Sequence, residues 1–301
     1  MKSLRWIFAF FSLAGLFFSP VSAQPAGLRD TIDGILRNAS GHIGVAIIGP
    51  GAADTLTFNG NDRFPMQSVF KFPLALAVLD RVDKGILSLD QRIHLTKEQL
   101  APNTWSPLRD KYPKADVDVT LDELLSYTVS RSDNNGCDIL FGLIGGPYVV
   151  NRYIHAQGIQ DISIVATEAA MHKDWSVQFR NWSSPSAMAR LLQKFWKGNI
   201  LSKTSTEYLR KLMIKSTTGP NKLRGGLPEK TVLAHKSGYS GVNDKGITAA
   251  TNDVGVVVLP GGKHFIIAVF VSNSSADEKT NDAVTARIGR AAWDAFSIPS
   301  H

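Results

Sequence analysis

TVLAHKSGYSGVNDKGITAATNDVGVVVLPGGKHFIIAVFV, residues 231–271, is the stretch whose reading decides the fold. Three runs rich in Val, Ile and Ala, at 231–235, 246–259 and 264–271, are separated by Asn243-Asp244 and by Pro260-Gly261-Gly262. β-Branched runs broken by turn residues predict antiparallel strands in a meander. Upstream, 28–36 has helix-like apolar spacing, and the run 43–48 is a strand stopped at Gly49-Pro50-Gly51. Residues 281–296 predict a closing helix.

Between these ends the pattern turns helical. The apolar run 69–87 is too continuous for a surface helix and predicts a largely buried one starting at Ser68. Further helical patterns occupy 121–144, 148–157, 185–196 and 204–214, and 162–182 reads as a long ordered loop, usually a functional feature. The expected class is therefore α/β (α+β): an antiparallel sheet flanked by N- and C-terminal helices, with an inserted all-helical domain. The expected division is 24–66 plus 216–301 for the α/β part and 67–215 for the helical part, with a cleft at their junction.

The first 23 residues have a basic head (Lys2, Arg5), an apolar run 6–18 too short to span a bilayer, and a small-residue end, Val21-Ser22-Ala23. They predict a cleaved secretory signal, a cut near Ala23 and a periplasmic or secreted product without a membrane anchor. The net charge is +7, about +5 without Lys2 and Arg5, and the basic residues are scattered among acidic ones. That scatter argues against nucleic acid as a partner, while the excess suits an anionic substrate. One cysteine, Cys137, allows no internal disulfide and reads as a small buried apolar residue.

Three motifs stand in order: Ser68-Val69-Phe70-Lys71, Ser132-Asp133-Asn134 and Lys236-Ser237-Gly238, with Glu168 between the last two. On a helix, Lys71 lies one turn from Ser68 on the same face, and a serine becomes a nucleophile only when a base takes its proton. A free lysine titrates near ~10.4, so Lys71 serves only where its surroundings weaken its hold on the proton. Ser132 and Asn134 fall where Ser130, Ser132, Asp133, Asn134, Asn135 and Gly136 crowd together and disfavour regular helix. A turn there would present one as proton relay, the other as amide-binding donor. Lys236 and Ser237 beside a glycine suit an anionic group approached closely by backbone. Alone, each motif has a bland reading: a helix cap with a solvated lysine, an interhelical turn, an edge strand protected by a lysine. Together they make the parts of a covalent acyl-transfer enzyme.

The chain resembles the class A serine β-lactamases, most closely the PER-like and VEB-like extended-spectrum branch. The resemblance is carried by Met66-Gln67-Ser68-Val69-Phe70-Lys71, Asn103-Thr104-Trp105-Ser106-Pro107, Ser132-Asp133-Asn134 with Cys137-Asp138, Glu168-Ala169-Ala170-Met171-His172, Thr217-Thr218-Gly219 and Ala234-His235-Lys236-Ser237-Gly238. It implies a serine β-lactamase/penicillin-binding-protein-like fold and a monomer without metal or cofactor that hydrolyses penicillins and cephalosporins, extended-spectrum cephalosporins included. It implies that Ser68 attacks the lactam carbonyl, and that the backbone N–H groups of Ser68 and Tyr239 form the oxyanion hole. Ser132 would protonate the leaving nitrogen, Lys236 and Ser237 would hold the substrate carboxylate, and Glu168 would activate the deacylating water. The base for acylation stays open between Lys71 and Glu168. Trp105 is expected to wall the cleft mouth, with a half-buried loop aromatic as the alternative. His172 either helps hold the water or is a satisfied buried imidazole. Lys222, where PER-like relatives carry an arginine, keeps charge but lacks the two-pronged fork, so it is expected to bind the substrate carboxylate more weakly or not at all. Two competing readings share the serine chemistry: a cell-wall DD-peptidase, and a β-lactam sensor that stays acylated.

Overall fold

The computed structural model describes residues 27–51 and 54–297; the expected signal segment and its cleavage point lie outside them. In chain order the elements are α1 (Leu28–Arg37), β1 (His42–Ile48), β2 (Thr55–Phe58), β3 (Phe64–Pro65), a 3-10 turn (Gln67–Phe70), α2 (Lys71–Asp83), β4 (Arg92–Leu95), α3 (Pro107–Lys111), β5 (Val117–Thr120), α4 (Leu121–Ser130), α5 (Asn134–Ile144) and α6 (Pro147–Ala156). There follow β6 (Ile162–Ser163), α7 (Glu168–Lys173), a second 3-10 turn (Trp175–Arg180), β7 (Trp182–Ser183), α8 (Pro185–Trp196), α9 (Lys203–Ile214), α10 (Leu223–Gly226), β8 (Leu233–Tyr239), β9 (Thr248–Val258), β10 (His264–Ser274) and α11 (Glu278–Ser297).

Five strands form one antiparallel sheet in the order β2-β1-β10-β9-β8. The meander expected from 231–271 is β8-β9-β10, and β1, from the other end of the chain, pairs along β10 from His42 opposite Ser272 to Ile48 opposite Ile266. Side chains alternate across a strand, so a strand buried on both faces reads as an unbroken apolar run. Phe265, Ile267, Val269 and Val271 of β10 pack with Ile32 and Ile35 of α1 and Val284 and Ile288 of α11, whereas Ile266, Ala268 and Phe270 join the core built by the middle helices. The sheet thus separates two apolar cores. Each fully buried aliphatic side chain contributes about 1.5–3 kcal/mol to holding the layers together.

α2 is buried nearly all round: Phe72, Leu74, Ala75, Leu76, Val78 and Leu79 have no exposed surface. It is shorter than the run 69–87 suggests. Ser68 sits on a 3-10 turn entered through Gln67 at φ +47°, α2 proper begins at Lys71, and Gly85, at φ +68°, follows its end. The pattern 121–144 splits into α4 and α5 around Arg131-Ser132-Asp133, with Ser132 in the left-handed region at φ +57°. Such a residue costs about 1–3 kcal/mol and persists where its surroundings fix it.

Two expectations change in detail. The segment 162–182 is built of β6, α7, a 3-10 turn and β7 rather than being loop throughout, and Asn181 knits it by accepting from the N–H groups of Val165 and Ala166. Beside the helices of 67–215 runs the ribbon β4–β5, so "all-helical" describes that region's core and not every element. Its four-residue strands, Arg92-Ile93-His94-Leu95 and Val117-Asp118-Val119-Thr120, are too short and too polar on one face to stand out in a sequence.

Candidate active site

Three segments, the turn that carries Ser68, the turn at 131–134 and the start of α7, meet at Lys71. Its Nζ, fully buried, lies 2.9 Å from Ser68 Oγ, 2.8 Å from the Ser132 carbonyl, 2.5 Å from Asn134 Oδ1 and 2.8 Å from Glu168 Oε1, with which it forms an ion pair. The left-handed conformation of Ser132 accompanies this convergence, as its carbonyl and its hydroxyl both face the lysines. Next to it Asp133 caps α5 through Gly136 N–H (2.7 Å) and reaches across to Leu108 N–H (2.7 Å) and Ser106 Oγ (3.0 Å). Burial pushes the Asp133 carboxyl up while these hydrogen bonds pull it back. One capping aspartate thereby locks the turn that carries Ser132 and Asn134 against the 101–111 segment.

Lys236 enters from β8, also fully buried, and donates to Ser132 Oγ at 2.9 Å and to the Ser237 carbonyl at 2.9 Å. Burial, and then the neighbouring charge of Lys71, lowers its pKa to about 7. Ser237 Oγ pairs with Thr218 Oγ1 at 2.8 Å. Gly238 is required by the approach of β8 to the turn that carries Ser68: a Cβ there would lie 2.6 Å from Met66 O and 3.1 Å from Ser68 N. Tyr239 ends the strand with its ring partly exposed.

Glu168 opens α7, and its place is set by Asp138 of α5, which accepts from the N–H groups of Glu168 and Ala169, both at 2.8 Å. Burial raises the Asp138 carboxyl to about 6 against those two hydrogen bonds, with the Glu168 charge adding to the rise. Beside α7 opens a cavity of about 510 Å³ with Thr104, Asn134, Asp138, Glu168 and His172 among its walls and Ile139 and Leu143 as apolar floor. Neither Ser68 nor Lys236 lines it, so it is a side annex of the lysine-centred cluster. His172 is exposed, which removes the reading of a buried, satisfied imidazole. Trp105, 61% exposed, donates its indole N–H to the Arg131 carbonyl at 2.9 Å and stands outside the cluster, which removes the reading of a half-buried loop aromatic. Asn134 gives its amide N–H to Thr104 Oγ1 at 2.7 Å, so the group expected to meet a substrate amide already has a partner.

Lys222 stands apart from this cluster. It is buried, its ammonium is paired with Asp282 of α11, and it donates to Thr251 Oγ1 at 2.7 Å. Its charge is compensated on the α11 side of β8, 5.7 Å from the Tyr239 ring centre, instead of standing free for a substrate carboxylate. Sequence reasoning missed Asp282 because no short motif joins residues sixty apart, and missed Asn252, a buried amide on β9 that donates to the carbonyls of Pro65 and Met66. Buried polar residues inside otherwise apolar strands are the signal that could have found Asn252 and its neighbour Asp253, which faces His235 at 2.9 Å. Among the described residues no cluster of His, Cys, Asp and Glu is arranged to hold a metal ion.

The arrangement joins a serine hydroxyl to a buried amine in direct contact, a second hydroxyl between two lysines, and a carboxylate over an open cavity. A sequence model of the β-lactamase enzyme family matches residues 27–296. β-Lactamase VEB-1 of Pseudomonas aeruginosa is 46% identical over 94% of this chain and 96% of its own length. Extended-spectrum β-lactamase PER-1, also of Pseudomonas aeruginosa, is 43% identical over 90% of this chain and 88% of its own. The crystal structure of a class A β-lactamase from Bacteroides cellulosilyticus superposes with a TM-score of 0.87 at 40% identity, covering 91% of this chain and 99% of that one.

Proposed function

The chain belongs to the class A β-lactamase family of hydrolases, and on that footing we propose how its β-lactamase activity works: Ser68 opens the lactam ring of penicillins and cephalosporins to form an acyl-enzyme, and water activated by Glu168 releases it. The observation that carries this reading is the contact of one buried amine, Lys71 Nζ, with both Ser68 Oγ and Glu168 Oε1. As Ser68 Oγ bonds to the carbonyl carbon, its proton passes to the amine while a proton of that amine passes to Glu168. Direct contact with the serine favours Lys71 as the immediate base and Glu168 as the group that receives the proton in turn. The carbonyl C–N bond then breaks, and the ring nitrogen takes the Ser132 hydroxyl proton, which Lys236 is placed to replace at 2.9 Å. Before deacylation the proton held by Glu168 returns through Lys71 and Ser132 to Lys236, which restores the carboxylate; water then gives its proton to Glu168 as its oxygen attacks the ester, the ester C–O bond breaks, and Ser68 Oγ leaves with that proton passed on through Lys71.

The remaining residues divide by position. The backbone N–H groups of Ser68 and Tyr239 receive the oxyanion, and losing one donor of such a pair costs about 10²–10³ in turnover. Lys236 and Ser237 hold the substrate carboxylate. Asn134 exchanges its bond to Thr104 for one to the substrate's amide. Trp105 and His172 line the approach. Lys222 acts on the carboxylate only through the local field, its ammonium being held by Asp282. Extended-spectrum cephalosporins are included because PER-1 carries that designation and because the annex beside Glu168 leaves room for a bulky acyl side chain.

The product works as a periplasmic or secreted monomer after cleavage near Ala23. No described helix is long and apolar enough to cross a membrane. The test is a purified preparation mixed with a chromogenic cephalosporin: sustained turnover is expected. A single stoichiometric burst would instead favour the sensor or peptidase readings.

A further inference from the structure

Resting on the acyl-enzyme reading above, we infer that Asn252 is a positioning residue that aims the oxyanion hole without touching the substrate. Gly238 and Asn252 face each other across β8 and β9. On β8 the missing Cβ of Gly238 lets the backbone of residues 66–68 come close; on β9 the Asn252 side chain fastens that same backbone. Its Nδ2 donates to Pro65 O at 2.8 Å and to Met66 O at 3.1 Å, and its Oδ1 accepts from Val271 N–H of β10 at 3.2 Å. Both amide protons and the amide oxygen are thereby engaged, and the residue has no exposed surface, so a substrate cannot reach it.

What this carboxamide fastens is a strained piece of chain. Gln67 lies at φ +47°, a conformation a non-glycine residue keeps only where neighbours impose it. From the other side Met66 N–H donates to the Asn181 carbonyl at 2.8 Å and Gln67 Nε2 to Gln178 Oε1 at 2.5 Å. The next N–H along is that of Ser68, one of the two oxyanion donors; the other, on Tyr239, follows Gly238. The direction of the first and its separation from the second are therefore set where Met66, Gly238 and Asn252 meet. Hydrogen bonds that fix a backbone donor in this way matter to the rate, because a donor helps only when aimed at where the oxyanion forms.

Asn252→Ala is compared with the parent in a Glu168→Gln background, in which the acyl-enzyme accumulates, and the infrared carbonyl band of the bound ester is recorded. Well-aimed donors lower that frequency. In Asn252→Ala the band is expected to move to higher wavenumber and broaden, and with Glu168 intact kcat is expected to fall about ten- to a hundredfold, less than loss of a whole donor. KM should stay within about threefold, since ground-state contacts are untouched. Asn252→Ser, which keeps one donor, should give a smaller shift in the same direction, and it carries the test where the alanine variant does not fold. An acyl-enzyme band that stays in place in the folded variant overturns the role of Asn252 and leaves the acyl-enzyme standing. Absence of any acyl-enzyme both in Glu168→Gln and in the parent quenched with acid during turnover overturns the reading on which the role rests.

Discussion

Raising the pH through the neutral range should switch off recognition of the substrate's carboxylate. Lys236 is fully buried, and burial together with Lys71 brings its pKa from 10.5 to about 7, partly opposed by Asp253 and Glu168. With that value about nine molecules in ten carry the ammonium at pH 6, about one in ten at pH 8 and about one in a hundred at pH 9. Where the ammonium draws the substrate's anion, kcat/KM falls about tenfold per unit above pH 7. A bound carboxylate favours the charged amine, so binding above pH 7 takes up a proton and kcat holds to higher pH than kcat/KM. The assay is kcat/KM for one cephalosporin and for its methyl ester, from pH 5.5 to 9.5 at fixed ionic strength, with values in that range set by the neutral midpoint. A flat profile for the free acid, or an equal decline for the ester, would refute the assignment of the limb to Lys236. Stability should move the other way. Between about pH 7 and 10.5 the unfolded chain holds a proton that folded Lys236 has released, so this group's contribution to folding grows as pH rises and is lost as pH falls to 7.

Glu168→Gln should reduce steady-state turnover by about 10²–10⁴ while mass spectrometry finds a one-to-one adduct on Ser68; unaltered turnover would remove Glu168 from the mechanism. Asp282→Asn strands the buried ammonium of Lys222 beside Thr251 and should cost about 3–5 kcal/mol in denaturant unfolding, whereas a cost under about 1 kcal/mol would class the pair with surface ion pairs. Cys137 is fully buried, and burial drives its thiol well above the usual range, so it should resist thiol reagents in the native protein and react once the chain unfolds. Reaction at the same rate in both states would contradict that.

What could be read from the chain was what is local. Ser68 and Lys71 share one helical turn, and the polar crowding at 130–136 correctly marks a break between helices, because spacing and turn chemistry act over a few residues. The continuous apolar runs of β9 and β10 were readable for the same reason. The 3-10 geometry at Ser68 was not, since the turn packs closely against β8 at Gly238, far along the chain, and local spacing carries no sign of that contact. Likewise a lysine's number says nothing about its counter-ion. The counter-ion of Lys222 is Asp282 on the last helix, and the pairing of Asn134 with Thr104 depends on how the 101–111 segment is held by Arg109, whose Nη1 contacts the carbonyls of Ala101, Pro102 and Thr104.

The pairing of β1 with β10 carries a consequence for how the molecule is made. The turn that carries Ser68 leans on strands that leave the ribosome long after it, and β1 waits for a partner at the far end of the polypeptide. Loop closure over such a span makes this pairing slow relative to local helix formation. A nascent chain cut short before β10 would hold Ser68 and Lys71 with no finished sheet to set them against, so an interrupted synthesis should yield an inert fragment rather than a weaker catalyst.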